Sequence, residues 1–257
     1  MRARLGLVLH WLASRQPDIV LLQELKLTAE LFPYKDIEEA GYSALVHGQK
    51  RWNGVAILIR QKTVRSAEVT SRGLPYLEEQ GARLISARIV AKSTTALNCT
   101  SVYVPNGRAV EHTAFKRKLA FLDGLSSFIG HCLEVTEPQI IGGDFNLCPG
   151  ALDTFDEQGS REKIFHTTEE RTRFAALLDL GMVDLFRKKY PELQSFSWWD
   201  YRSGNFHKNI GLRIDLILGD PKVFEQTLQV TIDRDYRKKK DNMIASDHAP
   251  VVVALKP

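Results

Sequence analysis

What the chain lacks narrows it first. No apolar stretch in its 257 residues approaches the ~20 that a membrane-spanning helix needs. The N-terminus carries Arg2 and Arg4 but no apolar signal region, and it leads straight into a helical pattern. No Gly/Ser/Pro-rich linker, low-complexity tract or internal repeat divides the sequence, so a single domain over 1–257 is expected. Cysteine is scarce. Cys99, Cys132 and Cys148 are scattered, with no CxxC pair and no zinc-ligand spacing. That argues against a disulfide framework and predicts free thiols in a reducing, intracellular compartment. Nor does charge of one sign dominate. The formal balance of +4 is compatible with a polyanionic partner without requiring one.

What is present is a large core, with 44% hydrophobic residues, organised as apolar runs that end in polar residues. Leu5, Val8, Leu9 and Leu12 recur at helical spacing until Pro17. Asp18 to Leu22 reads as a buried strand ending in Gln23-Glu24. A glutamate there either turns to solvent or meets a hard cation, because Mg²⁺ favours carboxylate oxygen. Phe32 to Gly41 predicts a short helix, Asn53 to Arg60 a strand, and Ala82–Val90 with Leu97–Val104 a hairpin. The hairpin ends in Tyr103-Val104-Pro105-Asn106-Gly107, a turn in which Tyr103 either packs or offers its phenol to a substrate. Phe115 to Ile129 and Phe174 to Leu178 predict helices.

The central stretch is Gly142-Gly143-Asp144-Phe145-Asn146, which follows the apolar run Pro138 to Ile141. The glycines are expected to turn the chain sharply. In an extended segment Asp144 and Asn146 face one spot and Phe145 the core. A carboxylate beside a carboxamide suits a phosphate near a divalent cation; the plainer reading is an Asx turn. Residues 195–202, Ser-Phe-Ser-Trp-Trp-Asp-Tyr-Arg, are dense in aromatics. Beside Arg202, Lys208 and Arg213 they suit stacking on a sugar or base next to phosphate contacts, or else a core cluster. Gly211 to Leu218 reads as a strand holding Asp215, and Arg237 to Lys240 as a solvated basic loop. Asp247 and His248 precede the last strand, Val251 to Leu255. Being adjacent, they need separate partners. Asp215 would orient the His248 imidazole, and Asp247 would be left for a metal.

In this order the segments Leu21-Leu22-Gln23-Glu24-Leu25-Lys26, Tyr103-Val104-Pro105-Asn106-Gly107, Gly143-Asp144-Phe145-Asn146, Phe196 to Arg202, Gly211-Leu212-Arg213-Ile214-Asp215 and Ser246-Asp247-His248-Ala249-Pro250 resemble the exodeoxyribonuclease III family of AP endonucleases, within the endonuclease/exonuclease/phosphatase superfamily. The resemblance runs over nearly the whole chain. It implies a four-layered α/β sandwich, two packed mixed β-sheets flanked by helices. It also implies Mg²⁺- or Mn²⁺-dependent hydrolysis of the phosphodiester 5′ of abasic sites, with 3′–5′ exonuclease and 3′-phosphatase activity. The implied partner is double-stranded DNA with abasic sites or blocked 3′ ends, met by a cytoplasmic, nucleoid-associated monomer.

Residue by residue, the resemblance implies Glu24 and Asp247 as metal ligands and Asp144 as the group that activates water or protonates the leaving oxygen. Asn146 orients the phosphate or the nucleophile, and Tyr103 lies against the scissile phosphate. His248, held by Asp215, is the other catalytic group. Asn106 matches a phosphate contact and Trp198 a wall of the abasic-sugar pocket. There is one departure. Family members open with a strand carrying a Trp-Asn-Val-Asn-type motif before Ser-Ile-Arg-Ala-Arg-Leu, whereas this chain opens at Met1-Arg2-Ala3-Arg4-Leu5. The expectation is an N-terminally truncated domain with a strand and a metal-binding asparagine missing. The alternatives it raises are a weakened or inactive DNA-binding relative, and a superfamily phosphatase acting on a small phosphoester.

Overall fold

Apolar runs flanked by polar residues become strands covered on both faces. The computed structural model describes residues 1–92, 96–240 and 242–256. Its strands are β1 (Ile19–Leu22), β2 (Tyr42–His47), β3 (Val55–Arg60), β4 (Val64–Arg72), β5 (Leu84–Ala91), β6 (Ala96–Tyr103), β7 (Gln139–Asp144), β8 (Val183–Asp184), β9 (Asp215–Gly219), β10 (Thr227–Ile232) and β11 (Val251–Leu255). Its helices are α1 (Leu5–Arg15), α2 (Tyr34–Glu39), α3 (Thr113–Cys132), α4 (Glu157–Ser160), α5 (Thr168–Asp179), α6 (Leu185–Lys189), α7 (Asn205–Lys208) and α8 (Pro221–Gln226).

The layers follow from side-chain alternation. On β3, Val55, Ile57 and Ile59 pack against Ile85, Ala87 and Ile89 of β5, while Ala56 and Leu58 turn to Leu7, Trp11 and Leu12 of α1 and Ile37 of α2. On the far side, Leu84, Val102, Ile141 and Leu216 meet Phe121, Leu122 and Leu125 of α3 and Phe174 and Leu177 of α5. The order is therefore α1/α2, sheet, sheet, α3/α5. Each fully buried Leu, Ile or Phe contributes ~1.5–3 kcal/mol relative to exposure. One sheet is continuous and mixed, β4-β5-β6-β7-β9-β8, with β6 and β7 parallel and the other pairings antiparallel.

The facing layer is in two pieces, β1-β3-β2 and β10-β11. Val252 of β11 shares the α1-side cluster with Val20 and Leu22 of β1. Ile19 and Leu21 of β1, and Val251 and Val253 of β11, all pack toward Ile140 of β7. Both strands thus lie between α1 and the continuous sheet, yet among the described residues β1 pairs only with β3 and β11 only with β10.

Three expectations need correction. The two glycines do not turn the chain; β7 runs through both to Asp144. They are required by closeness: a Cβ on Gly143 would lie 1.9 Å from the Val102 carbonyl oxygen, and one on Gly142 3.0 Å from Leu21. The turn comes at Asn146, at φ 50°. Second, the strand expected from Gly211 begins only at Asp215, because Leu212 bridges to Thr154 and Trp198 instead of joining the ladder. Third, Arg237 is not solvated. It is buried with its guanidinium over Tyr201 and Phe206, at 4.8 and 5.1 Å from the ring centres. Lys238 and Lys240 pair with Asp235.

Candidate active site

The candidate residues gather at one end of the sandwich because strand register aligns them. Tyr103 of β6 is the Cα partner of Asp144 on β7, and Asp144 is the partner of Asp215 on β9. One rung across three adjacent strands therefore carries a phenol and two carboxylates. The facing layer delivers Glu24 just beyond β1, at φ 54°, where the Tyr103 hydroxyl donates to its Oε1 over 2.6 Å. The segment before β11 delivers His248, whose Nδ1 lies 3.0 and 2.9 Å from the two Asp215 oxygens. Asp247 turns the other way and accepts from the Trp198 indole at 3.1 Å.

Asp144 and Asn146 form a closed unit. The Asn146 backbone N–H donates to Asp144 Oδ1 at 2.9 Å, which is an Asx-type contact, and its carboxamide donates to Asp144 Oδ2 and to the Val104 carbonyl, each at 3.0 Å. Asn106 donates to Asn146 Oδ1 at 3.1 Å. The local turn and the convergent site are thus the same structure. Phe145 between them is fully buried.

The electrostatics separate the groups. Burial, reinforced by Asp215 and Glu24, pushes the Asp144 carboxyl up to about 7 against the pull of His248 and the Asn146 amide. Burial opposes the His248 imidazolium, but the charge and hydrogen bond of Asp215 prevail and raise it to about 10. The Asp215 carboxylate therefore favours the imidazolium form of His248 at neutral pH, and among the described residues Nε2 has no hydrogen-bond partner. Burial likewise opposes charge on Glu24 and Asp247. Hydrogen bonds from Lys26 and Tyr103 keep Glu24 below its ordinary range; the His248 charge and the Trp198 indole do the same for Asp247. Burial, with Glu24 and Asp144 beside it, holds the Tyr103 proton on well above the usual phenol range.

Of the two arginines assigned from sequence to substrate contact, one is buried away from the site and the other is exposed beside Asp200. Arg213 is fully buried between Asp153 and Asp184, at 2.7 Å from an oxygen of each, and cannot reach a phosphate. Arg202 is exposed and held by Asp200 at 2.6 Å, with no hydrogen bond to the cluster. The aromatic segment splits: Phe196 and Trp199 are core, Trp198 lines the site half-buried, and Tyr201 is exposed. Sequence reasoning passed over Lys26, whose ammonium lies 2.8 Å from Glu24, and Ser197, whose hydroxyl accepts from the Ile214 and Asp215 backbone N–H groups. The signal for Lys26 was its place two residues after the strand-end glutamate.

Glu24 fits a hard cation. Its side chain is 45% exposed, and the Lys26 ammonium 2.8 Å away is a positive group already drawn to the carboxylate. Among the described residues no three His, Cys, Asp or Glu side chains form a closed metal cage. The donor set suits an ion held by one or two carboxylates and otherwise by water, which is the habit of Mg²⁺ and unlike structural zinc.

Residues 1–248 match the model of the endonuclease/exonuclease/phosphatase family. The chain is 35% identical to exodeoxyribonuclease III of Haemophilus influenzae over 249 residues, covering 94% of this chain and 91% of that protein. It is 27% identical to an exodeoxyribonuclease of Bacillus subtilis, covering 96% and 91%. A 3′ phosphatase from Neisseria, solved with a product DNA hairpin, superposes with a TM-score of 0.88 at 34% identity, over 98% of this chain and 94% of that one. An AP endonuclease from Archaeoglobus fulgidus gives 0.90 at 29% identity, over 99% and 95%. The chain belongs to the endonuclease/exonuclease/phosphatase family and, within it, to the exodeoxyribonuclease III group of hydrolytic nucleases.

Proposed function

We propose that this chain is a Mg²⁺- or Mn²⁺-dependent DNA-repair nuclease that hydrolyses the phosphodiester 5′ of an abasic site and also removes nucleotides or phosphate from 3′ ends. The observation that carries this reading is the Tyr103–Asp144–Asp215 rung, faced by Glu24 and by a cationic His248. Phosphodiester hydrolysis needs charge neutralised on the non-bridging oxygens, a positioned water and a proton for the leaving oxygen. The His248 imidazolium, oriented by Asp215, donates Nε2–H to a phosphate oxygen. Asp144, with its pKa near neutrality, exchanges the proton with the water or the leaving oxygen.

Asn146 acts mainly on Asp144, since both its amide hydrogens are spent on Asp144 and Val104. Asn106, exposed and using one amide hydrogen on Asn146, keeps the other for the backbone of the substrate. Tyr103 orients Glu24, and Trp198 walls the pocket for a flipped sugar, which leaves the stack without breaking a base pair. Glu24 and Asp247 would hold the metal ion, which supplies charge neutralisation at the phosphate when bound. Arg202 is left as an exposed phosphate contact outside the hydrogen-bonded cluster.

The test is a duplex with one internal abasic site beside a second with a 3′-phosphate, each assayed with Mg²⁺. Incision of the first on its 5′ side is the expected main product. Turnover of the 3′-phosphate alone would move the reading toward the phosphatase branch. Glu24→Ala is expected to raise the Mg²⁺ concentration for half-maximal rate about tenfold or more, and an unchanged titration would remove Glu24 from the metal.

A further inference from the structure

Beneath Asn106 and Asn146 lies a charged pair that hydrolysis does not itself use. Lys118 of α3 and Glu170 of α5 are both fully buried and directly bonded through Nζ and Oε1. Each Lys118 donor has an acceptor. One goes to Glu170, one to the Asn146 carbonyl at 2.5 Å and one to the Asn106 carbonyl at 3.3 Å. Those carbonyls belong to the two residues whose side chains meet at the site floor, Asn106 Nδ2 to Asn146 Oδ1.

Asn146 also sits in the left-handed region at φ 50°, a conformation that costs energy for a residue with a Cβ and that the surrounding contacts must hold. Glu170 is itself held. Its Oε2 accepts from the backbone N–H and hydroxyl of Thr167, closing the capping box of α5, and its Oε1 also accepts from the Phe165 N–H. A buried ion pair is weak evidence for stability, since apolar residues often replace one without loss. Here the ammonium ties three chain segments to one point.

We infer that Lys118, anchored by Glu170, is a positioning residue for the reaction: it sets the backbone of Asn106 and Asn146 and through them the orientation of Asp144. The inference rests on the nuclease reading above. Lys118 touches no substrate, being sealed from solvent. Duplex affinity comes from many phosphate contacts, whereas turnover depends on placement to within about an ångström. Loss of Lys118 should therefore reach kcat and spare KM.

Lys118→Met alone strands a buried carboxylate and is expected to fold poorly. The double variant Lys118→Met/Glu170→Gln removes both charges and keeps a capping-box residue at 170. It is expected to melt within a few degrees of the wild type while kcat on an abasic duplex falls about ten- to a hundredfold, with KM and the Mg²⁺ titration within about threefold of the wild type. Glu170→Gln alone, whose carboxamide keeps one of the two acceptor oxygens, is expected to fold with lowered stability and to lower kcat about threefold or more. Wild-type kcat in a folded double variant, or in Glu170→Gln if the double variant does not fold, would overturn the inference. A wild-type protein that fails to cleave the duplex would instead overturn the nuclease reading.

Discussion

Asp144 is the residue on which the proposed chemistry turns. Its carboxyl is pushed up to about 7, against roughly 4 in an unfolded chain. A raised carboxyl stabilises the fold while protonated. That contribution is fully present below about pH 4 and is lost as pH rises through about 7. Asp144→Asn cannot ionise, so its melting temperature should gain on that of the wild type between about pH 4 and 7. Parallel curves would contradict the raised carboxyl. The same variant is expected to lose about 10²- to 10⁴-fold in kcat with abasic-DNA affinity nearly intact, because a proton-transfer group goes while phosphate contacts stay. Asp144 and Asn146 were legible in the sequence as a pair on one side of a strand end. Their mutual hydrogen bonds were not, because they depend on the left-handed turn at Asn146. Arg213 was misread for a physical reason. Its neighbours in sequence belong to the site, but its counter-ions, Asp153 and Asp184, come from 60 and 29 residues away.

At the scale of elements, β7 places the site. It is central in the continuous sheet, parallel to β6 and antiparallel to β9, and the register of both pairings fixes the Tyr103–Asp144–Asp215 rung. Gly143, at φ 149°, has no room for a methyl group against Val102. Gly143→Ala is therefore expected to destabilise by more than about 3 kcal/mol, read by chemical denaturation. A loss under about 1 kcal/mol would mean that β6 and β7 yield there. Long apolar runs revealed β1, β3, β6, β7 and β11. The structure adds β2, β4, β8 and β10, which escaped because each is half exposed or an edge. β4, for example, reads Val-Arg-Ser-Ala-Glu-Val-Thr-Ser-Arg with Val64 as its one buried residue. Edge strands carry too little apolar signal to separate from loops.

The whole molecule brings together ends that the sequence keeps apart. Glu24 and His248 meet because the two pieces of the facing layer, one from each end of the chain, lie on the same sheet. The central claim is tested most directly by incubating one abasic duplex with the wild type in Mg²⁺, with the wild type in EDTA, and with Asp144→Asn in Mg²⁺. Incision on the 5′ side of the abasic site in the first alone is the predicted result; an intact duplex in all three, or equal incision in EDTA, would contradict it.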